Sequence, residues 1–290
     1  MSKRWFITGA SAGFGFEFVR AAAARGDRVV ATSRDVTALQ PLVGEFGDLV
    51  RPVALDVADR GAAVTTIESA AEDLGGLDVV VNNAGYGQFG RIEELSEAES
   101  RDQMDVNFFG PLWITQAALG VMRAQRSGHI VQISSIGGVG AYAGVGIYNA
   151  SKWGLEAMSE ALAQEVKTFG IKVTLVEPGP FRTLWGGANA RYATPLPAYV
   201  DALGDQRQSR AAGVGAEVGD PVRAAAALLE IVDANDPPLR ILLGAMACDA
   251  APRIYDRRLE EWRRWDRLGR STDHPATEQP VTAAAPAVSS

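Results

Sequence analysis

Short runs of apolar, β-branched residues alternate along most of this chain with longer stretches of helical periodicity. This alternation is typical of an α/β fold, in which helices cover both faces of a parallel sheet. Most strand candidates are continuous apolar stretches, as expected for strands buried on both sides. We therefore predict a doubly wound sheet of seven parallel strands, at Arg4–Ile7, Arg28–Ser33, Leu49–Leu55, Leu77–Asn82, His129–Ser134, Lys172–Glu177 and Arg240–Leu243. Helices are predicted at Phe14–Arg25, Asp59–Leu74, Glu97–Ala124, Tyr148–Phe169 and Pro221–Ala234.

Length and composition fit one such domain. The chain has 290 residues, 47% of them hydrophobic and 22% charged, which is enough for a core without metal or disulfides. The single cysteine, Cys248, has no partner for an internal disulfide. The two histidines, His129 and His274, lie far apart, so no metal site is predicted. The net charge of −7 disfavours non-specific binding of nucleic acid.

The sequence does not predict a membrane protein. It has no run of about 20 apolar residues that could span a bilayer. Met1–Arg4 leads directly into a strand candidate and then glycines, rather than into a signal-peptide cleavage site. We expect a cytoplasmic protein with neither a membrane nor a nucleic acid as its partner.

Two segments break the alternation of strands and helices. Leu184–Gly219 carries glycine, proline and aromatic residues without a clean period, and a loop of that length is usually functional, so we expect 184–219 to cover a substrate. Ser271–Ser290 has almost no large apolar side chains and is predicted to be a disordered tail, which leaves 1–270 as one domain. Just before the tail, Arg253–Leu268 is predicted to be an amphipathic helix that docks on this domain or a partner subunit. The alternative is a role at a membrane surface.

A glycine-rich turn, Thr8–Gly15, follows the first strand and opens the first helix. Glycines at such a junction let the backbone turn tightly and approach a pyrophosphate, which then lies at the positive end of the helix. The spacing is Gly-x3-Gly-x-Gly rather than the more common Gly-x-Gly-x-x-Gly. The turn predicts a Rossmann-type dinucleotide site with candidate contacts at Gly9, Ser11, Gly13, Phe14 and Gly15.

The end of the second strand bears on which dinucleotide is bound. An acid commonly stands there to bind the adenine ribose, but this chain has Ser33 followed by Arg34. A guanidinium can pair with the 2′-phosphate of NADPH, whereas a carboxylate would repel it, so Arg34 favours NADP(H). The alternative is that Arg34 is a solvated loop charge and that Asp35 serves the ribose.

Tyr148 and Lys152 stand four residues apart at the start of a predicted helix and therefore share one face. A phenol titrates near pH 10 in water, too high for proton exchange at neutral pH. A neighbouring ammonium favours the phenolate and lowers that pKa, which makes the tyrosine a useful acid or base. This spacing also occurs by chance on ordinary helices, so the pair gains its meaning from its context.

That context is a set of polar residues expected at one edge of the sheet. Ser134-Ser135 ends the fifth strand, and Asn82-Asn83 ends the fourth. The carboxyl ends of parallel strands meet at the edge where open α/β sheets bind their ligands. Asn107 lies farther on, inside a long helical pattern, where it could also be an ordinary amide satisfied by backbone.

With these residues assembled, the sequence from about Arg4 to Thr183 resembles the short-chain dehydrogenase/reductase family. Several motifs match in the right order and spacing, which is much harder to meet by chance than any one of them. The matching pieces are Thr8-Gly9-x3-Gly13-x-Gly15, Asp56, Asn82-Asn83-Ala84-Gly85, Asn107, Ser135, Tyr148-x3-Lys152 and Pro178-Gly179-x3-Thr183.

The resemblance implies four catalytic residues. Tyr148 would exchange a proton with the substrate oxygen, which Ser135 would hydrogen-bond. Lys152 would bind the nicotinamide ribose and lower the pKa of Tyr148, while Asn107 would hold a water in a proton relay. It also implies further cofactor contacts: Asp56 and Val57 at the adenine, Asn83, Ala84, Gly85, Pro178 and Gly179 along the cleft, and Thr183 at the carboxamide.

One position departs from the family pattern. Members that prefer NADP often carry a basic residue inside the glycine turn, where this chain has Ala12. Arg34 would then discriminate between the cofactors alone, and NAD(H) use at lower efficiency stays open.

The expected substrate is a small carbonyl or alcohol compound of hydrophobic character. The segment 184–219 would supply an apolar wall, and the candidate contacts are Phe89, Tyr142, Trp185 and Tyr192. In this family two long helices commonly pair between subunits, so a homodimer or homotetramer is expected. The rival interpretations are an epimerase or dehydratase on the same fold, and a non-catalytic cofactor-binding sensor.

Overall fold

The computed structural model describes residues 2–183, 185, 187, 189–205 and 217–274, and it confirms the predicted α/β architecture. The strands are β1 (Arg4–Ile7), β2 (Arg28–Ser33), β3 (Val50–Ala54), β4 (Val79–Asn82), β5 (Gln88–Phe89), β6 (Gly128–Ile133), β7 (Ile171–Pro178), β8 (Arg191–Tyr192) and β9 (Arg240–Leu243). The helices are α1 (Gly13–Ala24), α2 (Gln40–Phe46), α3 (Arg60–Leu74), α4 (Glu97–Met104), α5 (Gly110–Gln125), α6 (Ile136–Val139), α7 (Gly146–Val166), α8 (Pro197–Leu203), α9 (Pro221–Asp233) and α10 (Ala245–Arg270).

The main sheet has seven parallel strands in the order β3-β2-β1-β4-β6-β7-β9. Successive side chains of each strand point to opposite faces of the sheet, so every strand packs against helices on both faces. In β1, Trp5 and Ile7 join the cluster that packs α1 and α9, while Phe6 joins the cluster that packs α3, α5 and α7. All three side chains are fully buried, which explains why the strands read as continuous apolar runs.

The strand order determines where the binding crevice lies. From β1 the chain moves outward to β2 and β3, and from β4 it moves outward in the opposite direction. The loops that follow β1 and β4 therefore diverge at the carboxyl edge and leave an opening between them. The glycine turn after β1 and Asn83 after β4 lie at this opening.

Several elements differ from the prediction. The helix predicted at Glu97–Ala124 is continuous but contains a π-helical turn, Asp105–Phe109, between α4 and α5. The segment Leu184–Gly219, predicted to lack regular structure, contains β8 and α8 within its described residues. Two further helices, α2 and α6, were not predicted, since neither is long enough to show a period.

The C-terminal helix is confirmed but is longer than predicted. The amphipathic pattern predicted a helix over Arg253–Leu268, whereas α10 begins at Ala245, contains Pro252 and ends at Arg270. Trp262 and Trp265 are 63% and 60% exposed in the single chain. The chain divides into two compact units, 1–251 and 252–290. The expected bounds of the domain (1–270) and the tail (271–290) stay predictions, and 275–290 lie outside the described residues. None of the described helices is both long and apolar enough to cross a membrane.

Asp27, on the turn between α1 and β2, fixes the start of β1. Its carboxylate is 3% exposed and accepts hydrogen bonds from the Lys3 amide (2.8 Å), the Trp5 indole (2.8 Å) and the Arg25 guanidinium (2.6 Å). These bonds attach the strand that carries the glycine turn to the strand beside it.

We expect Asp27→Ala to lower the free energy of unfolding by about 1–3 kcal/mol, because it leaves the buried Trp5 N–H without an acceptor. Urea denaturation measures the effect. Asp48→Ala, the same substitution at an exposed position, should change stability by less than about 0.5 kcal/mol. Equal effects of the two substitutions would contradict this role of Asp27.

Candidate active site

A cavity of about 620 Å³ opens at the carboxyl edge of the sheet. Most residues that the sequence assigns to a site lie on its wall, although they come from eight separate parts of the chain. They are Gly9, Ser11, Gly13, Phe14, Ser33, Arg34, Asp56, Val57, Asn83, Ala84, Gly85, Asn107, Ser135, Tyr142, Tyr148, Lys152, Pro178, Gly179, Thr183 and Trp185. The roles assigned to these side chains stay predictions.

The glycine turn is bound tightly to the end of β4. Gly9 has φ +67°, and a Cβ there would lie 2.7 Å from the Cα of Ala84, so only glycine fits. Gly15, predicted as a cofactor contact, does not line the cavity. A Cβ on Gly15 would lie 2.3 Å from the carbonyl oxygen of Gly9, so this glycine permits close packing within the turn.

The start of α1 is suited to an anion. No side chain caps its first amides, because Ala12 is at the N-cap, and its first turn holds no acidic residue. By contrast, α3, α4 and α9 are capped by Asp59, Ser96 and Asp220. The uncapped amides of α1 begin at the cavity wall, where backbone N–H groups and the helix dipole favour a negative group.

Arg34 and Asp35, at the end of β2, have different surroundings, which bear on the two interpretations of how they contact a cofactor. Arg34 lies on the cavity wall, is exposed, and makes no hydrogen bond or ion pair with the described residues. Asp35 is not on the wall. Its carboxylate accepts from the amide (2.9 Å) and hydroxyl (2.7 Å) of Thr37, which lowers its pKa. Asp35 therefore caps the short helix that follows, while the guanidinium of Arg34 is free for a ligand.

Asn83 connects the loop after β4 to the glycine turn. Its side-chain amide donates to the carbonyl oxygens of Thr8 and Gly9, both at 2.9 Å. The Thr8 hydroxyl in turn accepts from the amides of Asn83 (2.9 Å) and Ala84 (3.0 Å). Asn83 thus fixes the shape of the turn in addition to lining the cavity.

Tyr148 and Lys152 lie in the first two turns of α7 and are both more than nine-tenths buried. The Lys152 Nζ is 6.0 Å from the centre of the Tyr148 ring and donates to the carbonyl oxygen of Ile133 at 2.7 Å. Burial lowers the pKa of Lys152 to about 8, against an opposing effect of the Glu156 carboxylate. The ammonium is therefore charged at pH 7 but can lose its proton only slightly above that pH.

Ser135 faces Tyr148 across Gly137. A Cβ placed on Gly137 would lie 3.0 Å from Tyr148 Cε1 and 3.3 Å from Ser135 Oγ, so the two side chains are neighbours. Ser135 Oγ accepts from the Gly137 amide at 2.9 Å, which leaves its own O–H as a donor towards the cavity. Asn149 holds this turn by donating to the carbonyl oxygen of Gly137 at 3.0 Å.

Asn107 lies in the π-helical turn and is fully buried. Its side-chain amide pairs with the backbone of Tyr86, accepting from the amide at 3.1 Å and donating to the carbonyl at 3.0 Å. The hydrogen-bonding groups of the Asn107 side chain are therefore paired with backbone, as the alternative interpretation expected. The backbone belongs to the loop after β4 and not to the helix that carries Asn107. The π turn, which frequently marks a functional site, aims this side chain at the cavity.

The predicted substrate residues divide into two groups. Tyr142 and Trp185 line the cavity, and the Trp185 ring lies 5.0 Å from that of Tyr148. Phe89 and Tyr192 do not line the cavity, and their assignment as substrate contacts stays a prediction. Phe89 is fully buried behind Trp185, and Tyr192 stacks on it at 5.1 Å. These two rings support the wall from behind.

Sequence reasoning missed several residues of the wall, among them Tyr86, Asn189, Arg191 and Glu217. The Arg191 guanidinium lies 4.2 Å from the centre of the Tyr86 ring. This contact joins β8 to the loop before β5, and no local sequence pattern predicts it. Asn149, also on the wall, had a signal, since it is a polar residue next to Tyr148 in the first turn of a helix. Across the described ranges, no group of three or more acidic, histidine or cysteine residues could hold a metal ion.

This geometry agrees with comparisons to known proteins. The family model for short chain dehydrogenases matches residues 3–193. The oxidoreductase BOA17 of Botryotinia fuckeliana is 38% identical over 91% of this chain and 97% of its own length. A 3-ketodihydrosphingosine reductase of Bacteroides thetaiotaomicron is 36% identical over 83% of this chain and 87% of its own.

Solved structures give the same answer. A short-chain dehydrogenase from Streptomyces avermitilis has a TM-score of 0.87 at 41% identity, covering 94% of this chain and 100% of that one. A metagenomic short-chain oxidoreductase in complex with NADP has a TM-score of 0.68 at 27% identity, covering 84% and 97%. Since the matched residues include the glycine turn, Ser135, Tyr148 and Lys152, the chain belongs to the short-chain dehydrogenase/reductase family of oxidoreductases.

Proposed function

We propose that this protein is an NADPH-dependent carbonyl reductase, or in reverse an alcohol dehydrogenase, that acts on a hydrophobic ketone or secondary alcohol. The observation that carries the proposal is a single cavity. It runs from the glycine turn and the unpaired Arg34 to Ser135, Tyr148 and Lys152. A dinucleotide-binding surface and a proton donor therefore face the same space.

The residues present fit a nicotinamide dinucleotide. The turn at Gly9 and the uncapped start of α1 would hold the pyrophosphate, because they offer close backbone approach and free N–H groups. Arg34 would pair with a 2′-phosphate, and the related short-chain oxidoreductase that was solved with NADP supports this choice. Ala12 supplies no second cation in the turn, so we expect NAD(H) to serve at lower efficiency.

The protein's part in the reaction is to hold the carbonyl and to deliver a proton. The bound cofactor would supply the hydride, which adds to the carbonyl carbon. The Ser135 O–H would donate a hydrogen bond to the carbonyl oxygen, and Tyr148 would transfer its phenolic proton to that oxygen to complete the alcohol. The Lys152 ammonium would stabilise the phenolate that remains.

The cavity wall next to Tyr148 supports a hydrophobic substrate. Trp185 and Tyr142 present aromatic rings, and Val145 and Met246 add aliphatic surface. A relative of this chain is a 3-ketodihydrosphingosine reductase, whose name describes reduction of a ketone. We also propose a homodimer or homotetramer in which α4–α5 and α7 pair between subunits, since Trp153 on α7 is 40% exposed in the single chain.

We expect the wild-type protein to oxidise NADPH with an aromatic ketone, and Tyr148→Phe to lower kcat by at least about 100-fold, because the proton donor is lost. Absorbance of NADPH over a panel of carbonyl compounds measures both. Tyr255→Phe, at an exposed position outside the cavity wall, is the matched control and should keep full activity. Substrate conversion without net NADPH oxidation would indicate an epimerase or dehydratase instead.

Arg34→Ala should weaken NADPH binding by roughly 10- to 100-fold, the loss expected for hydrogen bonds to a charged group, and leave NADH binding nearly unchanged. Fluorescence titration gives both dissociation constants. Arg101→Ala, which removes a 73% exposed guanidinium outside the cavity wall, should change neither. Tighter binding of NADH than of NADPH by the wild-type protein would contradict the cofactor preference.

Trp185→Ala should lower kcat/KM by roughly tenfold or more for bulky aromatic ketones and much less for a small ketone such as butanone, because a large apolar contact is removed only from the bulky substrate. Steady-state kinetics with both substrates gives the ratio. Trp262→Ala, at an exposed tryptophan on α10, should leave the ratio unchanged. An equal loss for both ketones would mean that Trp185 serves the architecture of the site and not substrate selection.

A further inference from the structure

A second group of ionisable side chains is buried behind the catalytic pair. Tyr148, Lys152 and Glu156 follow one another at intervals of four residues, so they share one face of α7. Glu156 is 7% exposed, and Glu177 of β7, the strand beside it, is 3% exposed. Carboxylates are seldom buried to this degree without an opposite charge beside them, so we expect a cation next to Glu156 and Glu177.

Arg240 of β9 is that cation. Its Nε donates to Glu156 Oε2 at 3.1 Å and lies 3.6 Å from Glu177 Oε1, and its Nη2 donates to Glu160 Oε2 at 2.6 Å. One guanidinium thus faces three carboxyl groups, which it cannot neutralise if all are ionised. Burial and the Glu156 carboxylate raise the pKa of Glu177 to about 8, so Glu177 keeps its proton at pH 7.

The remaining charges favour an interaction between Glu156 and Lys152. The Glu160 side chain is 54% exposed and lies two helical turns from Lys152, so water screens it. Because Glu177 keeps its proton, Glu156 is the buried acid that stands one helical turn from the buried ammonium. Its charge opposes the effect of burial, which would otherwise neutralise Lys152.

Glu156 also has an oxygen that Arg240 does not use. Its Oε1 is buried and accepts no hydrogen bond from an amide or guanidinium among the described residues, and the Glu177 carboxyl group hydrogen-bonds Glu156. The hydroxyl of Ser134, on the cavity wall next to Ser135, is also buried without a partner among the described residues. A Cβ on Gly138 would lie 2.7 Å from Ser134 Oγ and 3.3 Å from Glu156 Oε1. Ser134, on the cavity wall, and Glu156, behind it, therefore both pack closely against Gly138.

We propose that Glu156, anchored by Arg240 and Glu177, is a positioning residue that keeps Lys152 charged and so keeps Tyr148 able to exchange its proton. The inference rests on the proposed function for the role of Lys152, but not for the electrostatic coupling itself. A purely structural alternative is that Glu156 and Arg240 only tie α7 to β9.

The direction of the expected pH effect follows from the charges. Glu156→Gln removes a negative charge from the surroundings of Lys152 and lowers the pKa of the ammonium. Lys152 then loses its proton at lower pH, so the alkaline limb of the kcat/KM profile should move down by about one pH unit. The decrease in kcat/KM caused by Glu156→Gln should therefore be smaller at pH 7 than at pH 8. A merely structural defect would lower kcat/KM equally at every pH.

Two other variants separate the interpretations. Glu160→Gln removes a different carboxylate partner of Arg240 and should leave the alkaline limb in place. Glu156→Asp keeps the charge, so its alkaline limb should lie closer to that of the wild-type protein than the limb of Glu156→Gln does. A limb that moves equally in Glu156→Gln and Glu160→Gln would overturn the proposal.

One compensation has to be tested directly. In Glu156→Gln, the pKa of Glu177 should fall because the Glu156 charge no longer raises it, and Glu177 could then supply the missing carboxylate. The double variant Glu156→Gln/Glu177→Gln removes both acids and should shift the limb at least as far as the single variant. A wild-type profile in the double variant would also overturn the proposal.

NMR titration of the Lys152 side chain in the full-length protein measures the coupling without turnover, with the signal assigned by its loss in Lys152→Arg. The pKa of Lys152 should be lower in Glu156→Gln than in the wild-type protein, and an equal value would refute the coupling. If the wild-type protein reduced no carbonyl compound, the proposed function would fail while this titration still decided the role of Glu156.

Discussion

The close contact between the glycine turn and the end of β4 is the constraint on which the rest of the site depends. Gly9 lies against Ala84 with no room for a Cβ, and Asn83 holds the turn through two backbone carbonyl groups. Because β1 and β4 are neighbours in the sheet, these bonds form across one strand spacing. They fix the first amides of α1 relative to the loop that carries Gly85 and Tyr86. That loop binds Asn107 in turn, so one set of local contacts positions both halves of the cavity.

The sequence was sufficient to predict the sheet, since strands buried on both faces are continuous apolar runs bounded by turns. It could also place Tyr148, Lys152, Ser135 and the glycine turn at one edge, because parallel strands end together. What it could not supply were features that depend on distant contacts. The pairing of β5 with β8 joins residues about 100 positions apart, and the burial of Phe89 follows from that pairing.

Local geometry decided the other differences. The sequence favoured Arg34 as the partner of a 2′-phosphate and left Asp35 open as the partner of the ribose, and only the structure shows that the Asp35 carboxylate caps a helix through Thr37. The π turn at Asn107 adds no sequence signal, because it needs only one residue more per turn than the helix around it. The amphipathic pattern located α10 only from Arg253 onwards, and the helix begins eight residues earlier, at Ala245.

The pairing of β5 with β8 has a consequence for how this enzyme could acquire new substrates. A few residues after Trp185, the chain pairs with β5 in a two-residue parallel ladder, Gln88 with Arg191 and Phe89 with Tyr192. Backbone hydrogen bonds form this ladder, and they do not depend on which side chains are present. If this segment selects the substrate as proposed, its side chains can change while the backbone ladder keeps it beside Tyr148 and the glycine turn stays as it is.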